Sequence, residues 1–495
     1  MSLISISNLT FSYENSFDNV FENVSFQIDT DWKLGFTGRN GRGKTTFLNL
    51  LLGKYEYKGT ISTNVDFEYF PFFVPDKSQN TAHVIESIDS GYPYWKLVRE
   101  LSMMGISEEV LYRPFCTLSN GEQTKVLLAA LFLKKNSFLL IDEPTNHLDM
   151  AARELVSSYL NKKKGFILVS HDRVFLDNCI DHILSINKDT IDIQKGNFSS
   201  WWENKQRQDN FELAENRKLK KDIKHLHTAT KRTAEWADKV ERTKIGFVPG
   251  KTEKNIARRS AIGEKSRKMM QRSKSIQHRQ QAAIEEKAEL LHNIESAESL
   301  KISPLFYHAD RLVTLEDVSV LYGGKRVVAG VSFTIEQGDR IAICGKNGSG
   351  KSSILKLIHG EMIEFSGHFK RGNNLDISYV PQDTSFLEGS LSAFAVENGL
   401  DESLFKAILR KLDFSRIQFQ KDMHDFSGGQ KKKVLIAKSL CEKSHLYIWD
   451  EPLNYIDIFS RIQIEQLLKS CRSTILFVEH DRSFIENIAT KIITL

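Results

Sequence analysis

The sequence contains few of the features that would support an extracellular, metal-binding or membrane-spanning protein. It has 5 cysteines in 495 residues, and they form no CxxC pair or other metal-ligand spacing. Isolated cysteines of this kind are expected to be free thiols in a reducing compartment. No apolar run approaches the roughly 20 residues that cross a bilayer, and the first residues alternate as in a strand, unlike the basic start of a signal peptide. These absences together predict a cytoplasmic protein.

Charge is abundant but unevenly distributed. The formal net charge is +5, yet the segment from Arg217 to Arg279 contains 20 lysines and arginines against 6 acidic residues. That segment carries +14, which leaves −9 for the rest of the chain. A basic segment on an acidic body predicts contact with a polyanion. The chain is also too long for one hydrophobic core, and its length indicates about two to four domains.

A short apolar run that ends in two carboxylates organises the chain. Phe138–Ile141 is continuously apolar, as expected for a parallel strand covered on both faces. Asp142 and Glu143 follow at the end of this strand, where ligands bind in open α/β sheets. Asp142 is placed to hold Mg²⁺, and Glu143 is placed to orient and deprotonate an attacking water. The same pattern returns 308 residues later as Asp450-Glu451.

Each of these strand ends is preceded by a glycine-rich phosphate-binding motif. Gly38–Thr45 follows the predicted strand Lys33–Thr37 and matches G-x-x-x-x-G-K-[ST]. In this P-loop the backbone N–H groups wrap phosphates, the lysine neutralises their charge and the hydroxyl residue can ligate Mg²⁺. A second P-loop spans Gly345–Ser352. The sequence therefore predicts two copies of one ATP-hydrolysing module.

A third motif lies between the P-loop and the acidic strand end. Leu118–Gln123 precedes a predicted helix, Thr124–Leu133. Taken alone, Ser119 and Glu122 would be an ordinary capping box at a helix start. The position of the motif favours an anion site instead. His171 follows a further predicted strand, at the place where a sensor of the γ-phosphate would be needed.

The second copy repeats this order with a nearly constant register. Tyr322 corresponds to Tyr13, Phe426–Gln430 to Leu118–Glu122, and His480 to His171. Equivalent residues are 307 to 309 positions apart across five motifs. Such regularity is typical of an internal repeat, and it indicates that neither module carries a large private insertion.

The complete set of motifs resembles the nucleotide-binding domain of ABC ATPases. The resemblance implies an α/β fold with two tandem ABC modules that bind ATP and Mg²⁺. It implies catalytic roles for Glu143, Glu451, His171 and His480. It implies nucleotide contacts from Tyr13, Gly38, Asn40, Gly41, Gly43, Lys44, Thr45, Thr46, Ser119, Gly121, Glu122, Tyr322, Gly345, Asn347, Gly348, Gly350, Lys351, Ser352, Ser353, Gln382, Ser427, Gly428, Gly429 and Gln430. It implies metal contacts from Thr45, Asp142, Ser352, Gln382 and Asp450.

In this family the two modules close head to tail, so each ATP lies between one P-loop and the other module's signature motif. The first site would combine the P-loop at Lys44 with the signature Ser427–Gln430, and the second would combine the P-loop at Lys351 with Ser119–Gln123. One departure concerns the first site, where Phe72 stands in place of the family's Q-loop glutamine. That glutamine helps to arrange Mg²⁺ and the lytic water, so its absence puts catalysis at the first site in doubt, although both glutamates are intact and both sites could hydrolyse ATP.

The segment between the modules, predicted as residues 200–299, is basic and almost free of proline. Its apolar positions suit two antiparallel helices in a hairpin, with a tip near 243–260 that contains Gly246, Pro249 and Gly250. A solvated helix pair that serves only as a spacer is the alternative, but a spacer does not need this charge. The tip supplies candidate ribosome contacts at Lys244, Ile245, Phe247, Val248, Lys251, Lys254, Arg258 and Arg259.

Two ABC modules at 1–199 and 300–495, joined by such a linker, resemble the ABC-F family. Arg113-Pro114-Phe115 and the segment 448–455 are most similar to its antibiotic-resistance, Lsa-type branch. The resemblance implies a functional monomer that enters the tRNA exit site of the 70S ribosome, contacts rRNA and P-site tRNA, binds no DNA, and protects against lincosamides, pleuromutilins or streptogramin A. A housekeeping translation factor of the same family and the ATPase subunit of a drug exporter are the alternatives.

Overall fold

The computed structural model of the chain describes residues 2–13, 19–146, 148–186, 191–244 and 300–495, with isolated positions between 264 and 279. The chain divides into two compact units, one formed by Met1–Trp201 with Ala297–Leu495 and the other by Trp202–Ser296. The first unit contains both repeats. The turn of the predicted hairpin and seven of its eight candidate ribosome contacts, Ile245 to Arg259, lie outside the described residues.

The first module is built from a six-stranded sheet and a three-stranded sheet with helices packed on them. Its strands are β1 (Leu3–Phe11), β2 (Phe21–Asp29), β3 (Lys33–Thr37), β4 (Lys58–Ser62), β5 (Asp66–Phe70), β6 (Ser137–Asp142), β7 (Phe166–Val169), β8 (His182–Ile186) and β9 (Ile191–Lys195). Its described helices are α1 (Lys44–Leu51), α2 (Thr81–Ile88), α3 (Tyr94–Met103), α4 (Asn120–Leu131), α5 (Met150–Asn161) and α6 (Arg173–Cys179).

The order of the central sheet places the two chemistry-bearing loops at one edge. The strands run β5-β6-β7-β3-β8-β9, and all neighbours are parallel except β8 and β9. Phe36 of β3 and Asp142 of β6 both pair with Val169 of the strand between them. The P-loop after β3 and the carboxylates that end β6 therefore emerge at the same level. The continuous apolar run predicted as a buried strand is fully enclosed, with residues 138–141 almost inaccessible to solvent.

The second module repeats this plan. Its strands are β10 (Arg311–Tyr322), β11 (Lys325–Glu336), β12 (Arg340–Cys344), β13 (Glu364–Arg371), β14 (Ile377–Val380), β15 (Leu446–Asp450), β16 (Ile475–Val478) and β17 (Lys491–Thr494). A long helix, α7 (Phe198–Lys244), precedes it, and its own described helices are α8 (Lys351–His359), α9 (Leu391–Glu397), α10 (Glu402–Lys411), α11 (Gly428–Cys441), α12 (Ile458–Ser470) and α13 (Arg482–Ile488). The parallel sheet has the order β14-β15-β16-β12-β17.

One predicted helix boundary is wrong, and it lies in the motif predicted to be an anion site. The helix expected at Thr124–Leu133 is α4 and begins at Asn120. Ser119 is its N-cap, and the Ser119 and Glu122 side chains each accept a hydrogen bond from the other's backbone N–H. The motif is therefore the first helical turn and not a loop ahead of it. The capping box and the anion site are compatible, because the same turn points its N–H groups outward.

The first turn of α7 is anchored where the two modules meet. Trp201 is 3% exposed, and its ring lies 6.5 Å from the ring of Phe459 on α12. The guanidinium of Arg39, in the first P-loop, lies 5.6 Å from the centre of the same Phe459 ring. Phe459 thus contacts both the P-loop and the start of α7. Exposing an aromatic side chain as large as Trp201 to water is unfavourable, so the burial of Trp201 stabilises this junction.

Candidate nucleotide sites

The P-loop of the first module has the conformation that a phosphate cradle requires. Gly41 has a φ of +82°, and a Cβ added there would meet nothing within 4 Å, so the loop leaves open space beside its backbone. Lys44 is buried, and its Nζ donates to the carbonyl oxygens of Gly38 at 2.7 Å and Arg39 at 3.1 Å. The lysine is thereby held across the loop, where a polyphosphate would bind.

The second P-loop has the same geometry. Gly348 has a φ of +80° with nothing within 4 Å of an added Cβ. Lys351 Nζ donates to the carbonyl oxygens of Gly345 at 3.0 Å and Lys346 at 2.9 Å. Each lysine also begins a helix, α1 or α8, whose free N–H groups and dipole favour an anion.

The two glutamates occupy equivalent and unusual backbone positions. Glu143 has a φ of 51° and Glu451 a φ of 47°, a left-handed conformation that is rare outside glycine and concentrates at functional sites. Each N–H still pairs with the neighbouring strand, at Val169 and Val478 respectively. The Glu143 carboxylate lies 3.3 Å from His171 Nε2, and the Glu451 carboxylate lies 3.4 Å from His480 Nε2. The predicted base and sensor therefore stand together in both modules.

The electrostatic environments of these glutamates differ. Burial and the neighbouring Asp142 charge raise the pKa of Glu143 to about 8. Burial also opposes ionisation of Glu451, but contacts with His480 and Gln382 outweigh it and lower the pKa of that carboxyl. Burial, reinforced by the Lys44 and Arg461 charges, holds the pKa of His171 well below its usual range. At neutral pH Glu143 is mainly protonated in this structure, whereas Glu451 is ionised.

The difference at the Q-loop position accounts for part of this contrast. Gln382 Nε2 donates to Glu451 Oε2 at 2.9 Å, in agreement with the placement expected for that glutamine beside the second site. Phe72 has no such donor. At the first site the hydroxyl of Tyr69 donates to a different carboxylate, Asp142 Oδ2, at 3.1 Å. Tyr69 was not singled out from the sequence, because a tyrosine within a strand gives no indication of which carboxylate it will contact.

The second site is a cavity shared by the two modules. It has a volume of about 830 Å³, which falls in the range of small-molecule sites. One wall comes from the second module, with Asn347, Gly348, Gly350, Lys351, Ser352, Ser353, Gln382, Glu451 and His480. The facing wall comes from the first module, with Ser119, Asn120, Gly121, Glu122, Lys125 and Asp149. The structure therefore brings together the second P-loop and the first signature.

At the first site, the P-loop meets the second module's signature directly. Asn40 Nδ2 donates to the carbonyl oxygen of Tyr455 at 3.0 Å. A Cβ added to Gly429 would lie 2.3 Å from that same oxygen and 3.3 Å from Asn40 Nδ2. Arg39 forms an ion pair of 3.4 Å with Asp413 of the second module. Both predicted head-to-tail pairings are thus present in the geometry.

Comparison with known proteins agrees with this arrangement. The family model described as "ABC transporter" matches residues 21–146 and 328–454, which together make up just over half of the chain. The chain belongs to the ABC transporter family. Its duplicated modules make it a tandem ABC ATPase that binds and hydrolyses ATP.

Relatives match this ABC ATPase over nearly its whole length. YkpA of Bacillus subtilis strain 168, an uncharacterized ABC transporter ATP-binding protein, is 26% identical over 100% of this chain and 94% of its own. The ribosome protection protein VmlR of the same organism is 27% identical over 98% of this chain and 85% of its own. Archaeal ribosome recycling factor aABCE1, solved with ribosomal stalk protein aP1, has the same fold, with a TM-score of 0.63, 18% identity, and coverage of 98% of this chain and 87% of its own.

The oxygen ligands around the P-loops of this ABC ATPase suit a hard divalent cation. Thr45 Oγ1 lies 3.2 Å from Asp142 Oδ2. Asp450 is 1% exposed, and its Oδ1 is buried without a hydrogen-bond partner, an atom that a cation would satisfy. Within the described part of the chain, no group of three or more His, Cys, Asp and Glu side chains could hold a metal. Mg²⁺ fits this sparse set, because it takes one or two protein oxygens and completes its shell with phosphate and water.

The two tyrosines predicted to contact nucleotide lie at the periphery of the sites. Tyr13 is 44% exposed, and its hydroxyl lies 2.7 Å from Thr46 Oγ1 at the start of α1. Tyr322 is 47% exposed and ends β10. The contact with Thr46 places the first tyrosine next to its P-loop.

The remaining predicted signature residues repeat the capping geometry of the first module. Ser427 is the N-cap of α11, and its Oγ accepts from the N–H of Gln430 at 3.4 Å. Gly428 begins the helix, as Asn120 does in α4.

Among the described helices, none combines the length and apolar content needed to cross a membrane.

Proposed function

We propose that this ABC ATPase is a ribosome-binding protein of the antibiotic-resistance, Lsa-type branch. It enters the tRNA exit site of the 70S ribosome in its ATP-bound form, contacts rRNA and P-site tRNA, and protects the peptidyl-transferase centre from lincosamides, pleuromutilins and streptogramin A. It acts in the cytoplasm as a monomer. The observation that carries this proposal is the 27% identity to a ribosome protection protein over 98% of the chain, which includes the basic linker as well as the ATPase modules.

The charge of α7 supports an RNA partner. The helix exposes a run of cationic side chains, namely Arg217, Lys218, Lys220, Lys221, Lys224, Lys231 and Arg232. Lysine and arginine on one helix supply the non-specific phosphate contacts that position a protein on RNA. Lys244, the last residue of this helix, is also the first of the candidate ribosome contacts.

The proposed chemistry is attack of water on the γ-phosphorus of ATP, with release of ADP. At the second site Glu451 accepts the proton from the water, Gln382 orients the carboxylate and the water, and His480 contacts the γ-phosphate. Lys351 and the P-loop N–H groups hold the phosphates, and Ser119 to Glu122 close the site from the other module. Mg²⁺, held by Ser352 and Asp450 here and by Thr45 and Asp142 at the first site, supplies charge neutralisation on the phosphate oxygens when bound. Binding of ATP joins the modules and hydrolysis releases them.

The proposal is tested by cosedimentation with bacterial 70S ribosomes. Glu143→Gln combined with Glu451→Gln should retain ATP and remain bound to ribosomes, since both proposed bases are removed while the phosphate cradles are kept. Binding should require ATP and should weaken with salt. Lys44→Ala with Lys351→Ala is the matched control, because it removes the phosphate contacts and should abolish ATP-dependent binding. Absence of ATP-dependent binding by the glutamine variant would refute the ribosomal role and return attention to the exporter alternative.

A second measurement separates protection from housekeeping. Expression in a susceptible bacterium should raise resistance to at least one of the three drug classes, and the purified protein should displace that drug from ribosomes. Ribosome binding without protection against any of them would identify a housekeeping factor instead.

A further inference from the structure

The second module contains a buried lysine beneath its catalytic residues that the motifs do not explain. Lys432 lies in the first turns of α11 and is 2% exposed. Its Nζ donates to the carbonyl oxygen of Pro381 at 2.8 Å and to that of Asp450 at 3.2 Å. Removing an ammonium group from water is costly unless hydrogen bonds and charges compensate it. A lysine at this depth is therefore expected to have a specific role.

The two carbonyl groups belong to the two segments that carry the reacting side chains. Pro381 immediately precedes Gln382, and Asp450 immediately precedes Glu451. On the other side of these segments, Gln382 Nε2 donates to Glu451 Oε2 at 2.9 Å. Lys432 therefore links both backbones at the positions directly next to Gln382 and Glu451.

Burial lowers the pKa of Lys432 to about 8, and the charges of nearby acidic groups oppose this shift without cancelling it. These groups are Asp450, Glu479 and Glu451. Glu479 is 3% exposed, and its Oε1 accepts from the N–H of Leu453 at 2.7 Å, on the loop that follows Glu451. One buried cation thus stands among three acidic groups, and the arrangement ties α11, the Q-loop and the end of β15 together.

The first module has exchanged each of these elements. Thr124 occupies the position of Lys432, Phe72 that of Gln382, and Ser170 that of Glu479. Lys432 and the buried carboxylate of Glu479 therefore occur together, in the module that also has Gln382. This correlation within one chain links Lys432 to the presence of Gln382 and not to the fold, because both modules share the fold.

We propose that Lys432 is a positioning residue for ATP hydrolysis at the second site. By holding the Pro381 and Asp450 carbonyl groups at a fixed separation, it sets the distance between Gln382 and Glu451 and hence the alignment of the attacking water. A misplacement of about 1 Å in such a constellation can cost about 10²-fold in rate. The ATPase activity, and not the ribosomal role, is the only premise.

The test is steady-state ATP hydrolysis by the full-length protein carrying Lys432→Met. We expect kcat to fall about 10-fold or more while KM changes less than about twofold, because the P-loop is untouched. Lys438→Met is the matched control on the same helix, since Lys438 pairs with Glu442 away from the site and should leave kcat unchanged. Lys432→Arg, which keeps the charge and can reach both carbonyl oxygens, should recover part of the rate.

A double-mutant cycle with Gln382→Ala distinguishes positioning from general stabilisation. If Lys432 acts through Gln382, the double variant should be no slower than the slower single variant. Multiplication of the two effects, or a Lys432→Met kcat within twofold of the wild-type value, would overturn the proposal. Should Lys432→Met fail to fold, Lys432→Arg and Lys432→Gln in the same cycle give the same discrimination.

Discussion

The two nucleotide sites have the same backbone conformation and differ in the side chains around it. The glutamate φ angles are 51° and 47°, and the glutamate–histidine distances are 3.3 and 3.4 Å. Yet Glu143 has a pKa raised to about 8, whereas the pKa of Glu451 is lowered. Gln382 and His480 contact Glu451, while Tyr69 contacts Asp142 at the first site. In this chain the duplicated sites therefore agree more closely in backbone geometry than in electrostatics.

Some of the differences are compensated pairs. In the first module Thr145 and Ser170 place their hydroxyl oxygens 3.2 Å apart. In the second module the equivalent residues are Leu453 and Glu479, and the Leu453 N–H donates to the Glu479 carboxylate at 2.7 Å. Each pair satisfies its own buried polar groups, as buried polar groups must. Replacing Glu479 by the serine of the first module would leave the Leu453 N–H without this acceptor.

The largest expected effect concerns a buried ion pair that only the second module is shown to form. Lys433 Nζ lies 2.8 Å from Asp457, and both side chains are almost fully buried. Lys433→Met should destabilise the protein by about 3–5 kcal/mol, because it leaves an unpaired charge in the interior. Lys125→Met, at the equivalent half-buried position, should cost much less. Thermal and denaturant unfolding of both variants measures the difference.

The same pair gives a pH dependence with a definite sign. The Lys433 charge and hydrogen bond, together with the N–H of Ser460, outweigh burial and hold the pKa of Asp457 far below its usual range. A lowered carboxyl pKa contributes stability above the unfolded value of about 3.9 and loses it as pH falls toward the folded value. The loss of stability caused by Lys433→Met should therefore be complete at pH 7 and become smaller only in acid, below about pH 4. A deficit that already shrinks between pH 8 and 6 would contradict the assignment.

The next largest effect compares the two glutamates directly. Glu451→Gln should lower kcat for ATP by about 10²–10³-fold, as expected for loss of a general base. Glu143→Gln should lower it by less than about threefold, because Glu143 is mostly protonated at neutral pH. Phosphate release assays on the single variants measure this. Equal losses would show that ATP binding removes the electrostatic difference between the sites.

The residual activity of the first site should depend on pH. In the Glu451→Gln variant, turnover should rise roughly tenfold between pH 7 and 9, as a base with a pKa of about 8 becomes ionised. In Glu143→Gln the rate should stay nearly constant over that window, because Glu451 is already ionised. A flat profile in the first variant would separate its activity from Glu143.

The smallest expected effect is at the Q-loop. Phe72→Gln restores a hydrogen-bond donor at the first site and should raise its turnover by about two- to fivefold, since an oriented carboxylate and water need less reorganisation. Phe73→Gln is the control, because Phe73 is 81% exposed and adjacent in sequence. No difference between the two variants would show that the missing glutamine does not limit turnover at the first site.

The sequence predicted the fold class and the order of the motifs, because phosphate loops and buried parallel strands impose strong local patterns. The pairing of each P-loop with the opposite signature was implied only by the resemblance to ABC ATPases. The start of α4 was misplaced, since a capping box and a loop motif use the same small and acidic residues. Tyr69 and Lys432 escaped notice because their roles depend on contacts between segments, such as the 51 residues that separate Lys432 from Pro381. The linker tip stays a prediction.

The aromatic junction at the start of α7 has a spectroscopic consequence. Trp201 is buried beside Phe459, whose ring also lies near the guanidinium of Arg39 in the first P-loop. Indole emission shifts to longer wavelength when water reaches the ring, so the chain contains an intrinsic fluorophore at the seam that ATP would close. Because the chain has 6 tryptophans, the emission of Trp201 would report the separation of the modules once the others are replaced by phenylalanine.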